Sequence, residues 1–140
     1  MTRKGPSKTA DKAFGDGSLE IAKAFLKAAQ NETELADDGD VGNPIISQIV
    51  NAAIAYADAL TAKFAGRVDQ QDHSATVKAL RAALGKRFPD EQERRLARIL
   101  SEKDAAQYGA RIERKSEAVR LLADLEKFAA WAELEMSRIR

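Results

Sequence analysis

The sequence predicts an all-α fold, a four- to five-helix antiparallel up-and-down bundle. Three observations carry that expectation. Alanine supplies 27 of the 140 residues and aromatics only 6%, and alanine is the strongest helix former and is depleted from strands. Apolar residues recur at spacings of three and four along most of the chain. Short polar stretches with helix start and stop signals separate these segments, as between antiparallel neighbours. With 44% hydrophobic and 32% charged residues, the length suits one domain with a real core.

Met1 to Gly17 mix Lys, Thr, Ser, Gly and Asp without a period. They read as a flexible tail, or a short frayed helix around Thr9 to Phe14. Residues 18–140 then form a single helical-bundle domain. A first helix is expected after Gly17, with Ser18 as N-cap, Glu20 in its first turn, and Ile21, Phe25 and Ala28 or Ala29 on one face. The acidic Asp37-Asp38-Gly39-Asp40 ends it in a solvated loop.

Asn43-Pro44 is the strongest local signal, since Asn is a good N-cap and Pro is shaped for the first helical position. Ile46, Ile49, Val50, Ala53, Ala57, Leu60 and Phe64 then keep a helical period to a stop at Gly66. Interleaved alanines make this helix smooth, so neighbours can approach it closely and it is expected at the centre. After a polar loop, Asp72 caps a helix that has His73 at its first position and Val77, Leu80 and Leu84 inward. Gly85 ends that helix. Pro89-Asp90-Glu91 opens another, with Leu96, Ile99 and Leu100 inward, and Ser101 to Gly109 either continue it or bend it. The last helix runs from about Ile112 towards the C-terminus, with Ala118, Leu121, Leu122, Leu125, Phe128, Ala129, Ala132 and Met136 as its stripe.

Composition excludes several chemistries. There is no cysteine and one histidine, so disulfides, thiol catalysis, zinc–thiolate sites and multi-histidine metal sites are out. No metal and no cofactor is expected. The net charge is +1, so no global field draws the chain to nucleic acid. The charge is uneven, however: Glu32 to Asp40 holds five acids and no base, and Lys78 to Arg98 seven bases against three acids. No apolar run approaches membrane-spanning length and no signal peptide is present, so the expectation is a cytoplasmic protein without a membrane.

His73 leads the candidate residues because it is unique. A helix N-terminus disfavours the imidazolium, which leaves a base-like neutral ring. Arg67, six residues earlier, is near enough to bind a phosphate beside it. Together they suit phosphodiester cleavage without a metal: His73 takes a ribose 2′-hydroxyl proton and Arg67 stabilises the pentavalent charge. The plain alternative is a polar helix start with a capping or packing histidine. Lys86, Arg87, Arg94, Arg95 and Arg98 form a basic cluster that suits phosphate contacts, or an ordinary solvated face paired with Asp90, Glu91 and Glu93. Tyr108 is a phosphate-contact candidate or an amphipathic edge residue. Trp131 beside Phe128 widens the last apolar stripe, either as core or as a homodimer interface.

Three stretches carry a family resemblance: Leu19 to Ala29; Ala53 to Leu60 leading through Gly66-Arg67 to Gln71-Asp72-His73; and Lys103 to Gly109 before the long helix with Phe128. In order and spacing, over about residues 19 to 135, they resemble the HEPN superfamily of helical nucleotide- and RNA-associated domains. The resemblance implies a dimeric helical bundle. Many members are metal-independent ribonucleases of toxin–antitoxin or defence systems, with an Arg and a His a few positions apart supplied by both subunits. Arg67 and His73 match that pair in a relocated position. Where catalytic members carry it, this sequence has Lys103 and Tyr108 and no histidine. Two functions follow as expectations. One is an RNA- or nucleotide-associated module, with ribonuclease activity through Arg67 and His73. The other is a non-catalytic helical interaction module that pairs with a protein such as a nucleotidyltransferase.

Overall fold

The computed structural model describes residues 7–9, 11–69, 73–107 and 111–138. Five helices make the fold: α1 (Lys12–Leu35), α2 (Asn43–Ala65), α3 (His73–Leu84), α4 (Asp90–Gln107) and α5 (Lys115–Met136). Two three-residue strands, β1 (Ser7–Thr9) and β2 (Arg67–Asp69), pair antiparallel, with Lys8 opposite Val68. A 3-10 turn over Gly85–Arg87 joins α3 to α4.

The central position expected of the second helix is what the fold shows. α2 packs against all four other helices, and Ile45, Ile49, Ala53, Tyr56, Ala57 and Leu60 are fully buried or nearly so. Alanines at 52, 53, 57 and 59 leave no side-chain bulk to hold neighbours off, so several helices share this one axis. α2 is also long and apolar enough to span a membrane by composition, but 67% of its most apolar window is buried inside the bundle. Its apolar surface is thus consumed within the chain.

Helix directions follow from cross-helix contacts. Gln30 meets Glu126 at 2.9 Å and Lys115 Nζ reaches the Ala36 carbonyl at 2.8 Å, so α1 and α5 are antiparallel. Arg87 with Glu135 and Arg98 with Asp124 set α4 antiparallel to α5. Asn43 bonds Arg111 and Glu113 at the start of α5, while Lys63 reaches the carbonyls of Met136 and Arg138 at its end. α2 and α5 therefore run parallel, as the like-directed members of an up-and-down bundle. α3 is a short insertion that folds back on α4 through Arg81, which bonds Glu93, Asp90 and the carbonyls of Gly85 and Phe88.

Three element starts differ from the sequence expectation. α1 begins at Lys12, six residues before the expected start after Gly17. Asp11 is its N-cap, accepting from the Phe14 N–H at 2.9 Å. Gly15 and Gly17 look like helix breakers, but Gly15 lies against α2, and a Cβ there would stand 3.5 Å from the Ala59 carbonyl oxygen. Close packing on α2 outweighs the low helix propensity of glycine.

α2 is capped by Gly42, with Asn43 already its first residue. The Asn43 amide instead ties in the chain before α5, accepting from the Glu113 N–H at 2.8 Å and donating to the Arg111 carbonyl at 3.1 Å. That same pairing delays α5. Residues 40–42 run against 113–115 in a short extended ladder, with Val41 opposite Arg114. The helix therefore starts at Lys115, not near Ile112. Gly66 does stop α2, in the left-handed region at φ 73° with its N–H on the Ala62 carbonyl. Only glycine takes that conformation freely.

Candidate functional site

The polar turn after Gly66 became β2, and it places Arg67 at the exit of α2. The Arg67 side chain is exposed, and no carboxylate pairs with it among the described residues. His73 is the first residue of α3, the position read from sequence. Its side chain, like Tyr108 and Asp72, lies outside the described residues.

The basic cluster does not act as one unit. Arg87 is committed to Glu135 at 3.0 Å and stacks on the Phe64 ring, its guanidinium 4.6 Å from the centroid. Arg95 pairs with Glu91 one turn earlier, and Arg98 with Asp124 at 2.8 Å. Only Lys86 and Arg94 are exposed and free of a carboxylate among the described residues. The fold divides the expected phosphate-binding set into structural arginines and free cations, because acids on α5 and on α4 itself reach the former.

The two residues read as either core or dimer interface both pack within the chain, to different degrees. Phe128 is fully buried in the chain's own core. Trp131 is partly buried, stacked on Phe88 at 5.4 Å with planes 22° apart and tilted against Phe128 at 5.6 Å. Phe88 follows the 3-10 turn, so the width of the α5 stripe is used to seat the α3–α4 corner. Phe128 therefore has no surface to offer a partner, while Trp131 keeps part of its ring exposed.

A cleft of about 270 Å³ opens between α4 and α5 above the start of α2. Ile46 and Leu121 give it apolar walls, while Arg98, Glu102, Glu113 and Asp124 give it charge. Each carboxylate already holds a guanidinium: Asp124 takes Arg98, and Glu102 and Glu113 share Arg111 at 3.2 and 2.6 Å. The cleft is thus an ion-pair lattice that pins α4 to the start of α5. Among the described residues, no group of three or more His, Asp or Glu could hold a metal ion. The sequence reading missed this cleft. Its signal was Arg98 and Glu102 one turn apart on α4, and Glu117, Arg120 and Asp124 at helical spacing on α5.

No protein-family model matches the chain, and no curated protein matches it.

Proposed function

We propose that the chain is a HEPN-like helical module that binds RNA or nucleotide phosphates at the junction of α2 and α3, with Arg67 as the phosphate ligand. The observation that supports this reading is the state of Arg67. Among the described residues it is exposed and without a carboxylate partner, at the start of β2, the strand that precedes the helix opening with His73. A guanidinium left free of acids retains its bidentate donors for phosphate, whereas Arg87, Arg95 and Arg98 have spent theirs on carboxylates. Lys86 and Arg94 add free positive charge on the α3–α4 side. On this reading any strand cleavage is metal-independent, with His73 moving the 2′-hydroxyl proton and Arg67 holding the charge that develops on phosphorus oxygens.

The test uses the full chain with single-stranded RNA in chelator, following binding and cleavage together. Arg67→Ala is expected to weaken binding several-fold and to lower the salt dependence by about one phosphate contact. His73→Ala is expected to remove cleavage and spare binding. RNA binding that Arg67→Ala leaves intact, or no binding at low salt, would reject the assignment and leave the non-catalytic interaction module as the reading.

A further inference from the structure

Two local features bring the N-terminal segment to the exit of α2. Gly15 seats the start of α1 beside Ala59 and Ala62, near the end of α2. Asp11 caps α1 in an extended conformation, accepting from the Phe14 N–H, so the chain before it runs off the helix. There it forms β1, which pairs antiparallel with β2. Thr9 stands opposite Arg67 and Ser7 opposite Asp69. Residues directly opposite share a face, so Thr9 and Arg67 lie on one face of the ladder and Lys8 on the other. The direction of pairing also means that the chain enters β1 at the Asp69 end, the end from which β2 leads on to His73.

The two paired segments differ in charge. Residues 67–72 hold one arginine and two aspartates, so the segment that carries Arg67 is net negative. It offers a polyanion one guanidinium and an unfavourable field around it. Residues 1–10 hold Arg3, Lys4 and Lys8 and no acid, and make the pair of segments net positive. Arg3 and Lys4 stand four and three residues before Ser7, so each lies within about 14 Å of it even at full extension. Basic residues spaced along a segment match the successive phosphates of an extended strand, whereas a lone phosphate needs only Arg67.

We propose that the segment before α1 is a basic arm of the phosphate site, and that the site takes an extended RNA strand in preference to a free nucleotide. The inference rests on the reading of Arg67 as a phosphate ligand. β1 holds the arm on β2, and Arg3 and Lys4 bind phosphates next along the strand from the one that Arg67 holds. Lys8, on the other face of the ladder, is left out of these contacts.

The test measures binding of the full chain to a 2′-O-methyl oligouridine dodecamer, which has no 2′-hydroxyl to cleave, and to uridine monophosphate, from about 50 to 200 mM salt. Circular dichroism confirms that each variant stays folded. The wild type should bind the dodecamer about tenfold or more tighter than the mononucleotide. Arg3→Gln with Lys4→Gln should weaken dodecamer binding about tenfold and lower its salt slope by about 1.4, the share of two phosphate contacts. Lys23→Gln with Lys27→Gln makes the same charge change at exposed positions of α1 and should leave binding within about twofold. Ser7→Cys with Asp69→Cys sets a disulfide across the ladder of a chain that has no other cysteine. Its oxidised form should bind the dodecamer at least as tightly as its reduced form. An arm variant that does no more than the α1 control overturns the inference. So does equal affinity for the two ligands, or weaker binding on oxidation. If Arg67→Ala weakens binding and the arm variant does not, the arm alone is rejected; if the wild type binds neither ligand, the reading of Arg67 falls with it.

Discussion

The Tyr56 hydroxyl donates a 2.6 Å hydrogen bond to Glu133 Oε2, joining the middle of α2 to the last turns of α5. Tyr56 is fully buried and among the largest core side chains. Burial first, and then the carboxylate it faces, push its hydroxyl well above the usual tyrosine range. Tyr56→Phe should cost about 1–2 kcal/mol, since it removes a charge-assisted bond while Glu133 keeps some access to water.

The same pair predicts a pH dependence. The folded-state value is raised, so the folded chain keeps its proton where the unfolded chain loses one. The stability is fully present below about pH 10, the unfolded tyrosine value. It falls as pH rises above that, by up to about 1.4 kcal/mol per unit. Urea melts near pH 9 and pH 11 should show the wild-type advantage over Tyr56→Phe shrinking. An unchanged gap would refute the linkage.

Glu135 is a buried carboxylate with 6% of its side chain exposed, held by Arg87 and by Arg138 at 3.2 Å. Arg87 is nearly half exposed, which limits what its pairing is worth. Arg87→Met should therefore cost about 1–2 kcal/mol, mainly through the buried charge left behind. Arg87→Met with Glu135→Gln should cost less than the two single changes added together. A double-mutant cycle from urea denaturation measures this, and strict additivity would show that the pair is not coupled.

Two glycines should respond in opposite directions. A Cβ at Gly42 would stand 2.7 Å from the Arg114 carbonyl oxygen and 2.9 Å from its carbon, both backbone atoms. Gly42→Ala should destabilise by about 2 kcal/mol, because the ladder that starts α5 must shift. Gly17 lies inside α1 with nothing within 4 Å of an added Cβ. Gly17→Ala should stabilise by roughly 0.5–1 kcal/mol. Thermal melts of the two variants check both signs, and the second also tests that α1 reaches back to Lys12.

Trp131 is the single tryptophan, and its stacking on Phe88 makes its fluorescence a reporter of α3–α4 docking onto α5. Phe88→Ala should shift its emission to the red and cost about 3 kcal/mol. Emission that stays unchanged would place Trp131 outside that contact.

Much of the fold could be read directly from local patterns. The helical class, the central smooth helix, the stop at Gly66, and the inward faces of Leu80, Leu84, Leu96, Ile99 and Leu100 all follow from spacing and propensity, which act over a few residues. The candidate site was legible only as residue types. Arg67, Arg87, Arg94 and Arg95 look alike in sequence, yet among the described residues Arg67 and Arg94 have no carboxylate partner while Arg87 and Arg95 are bound. For Arg87 the difference lies in Glu135, 48 residues away, brought close by the antiparallel packing of α4 and α5.

What the sequence by itself determined is where helices can form and which face of each is apolar. Tertiary structure decided where helices begin and which apolar residues stay exposed. Gly15 joined a helix because α2 offered it a close seat, and residues 40–42 and 113–115 became a ladder because their backbone groups met across the turn. Trp131 was covered by Phe88, whereas Leu35, Val41 and Ile112 were not. Burial depends on contacts between distant segments, which a period of three or four residues does not encode.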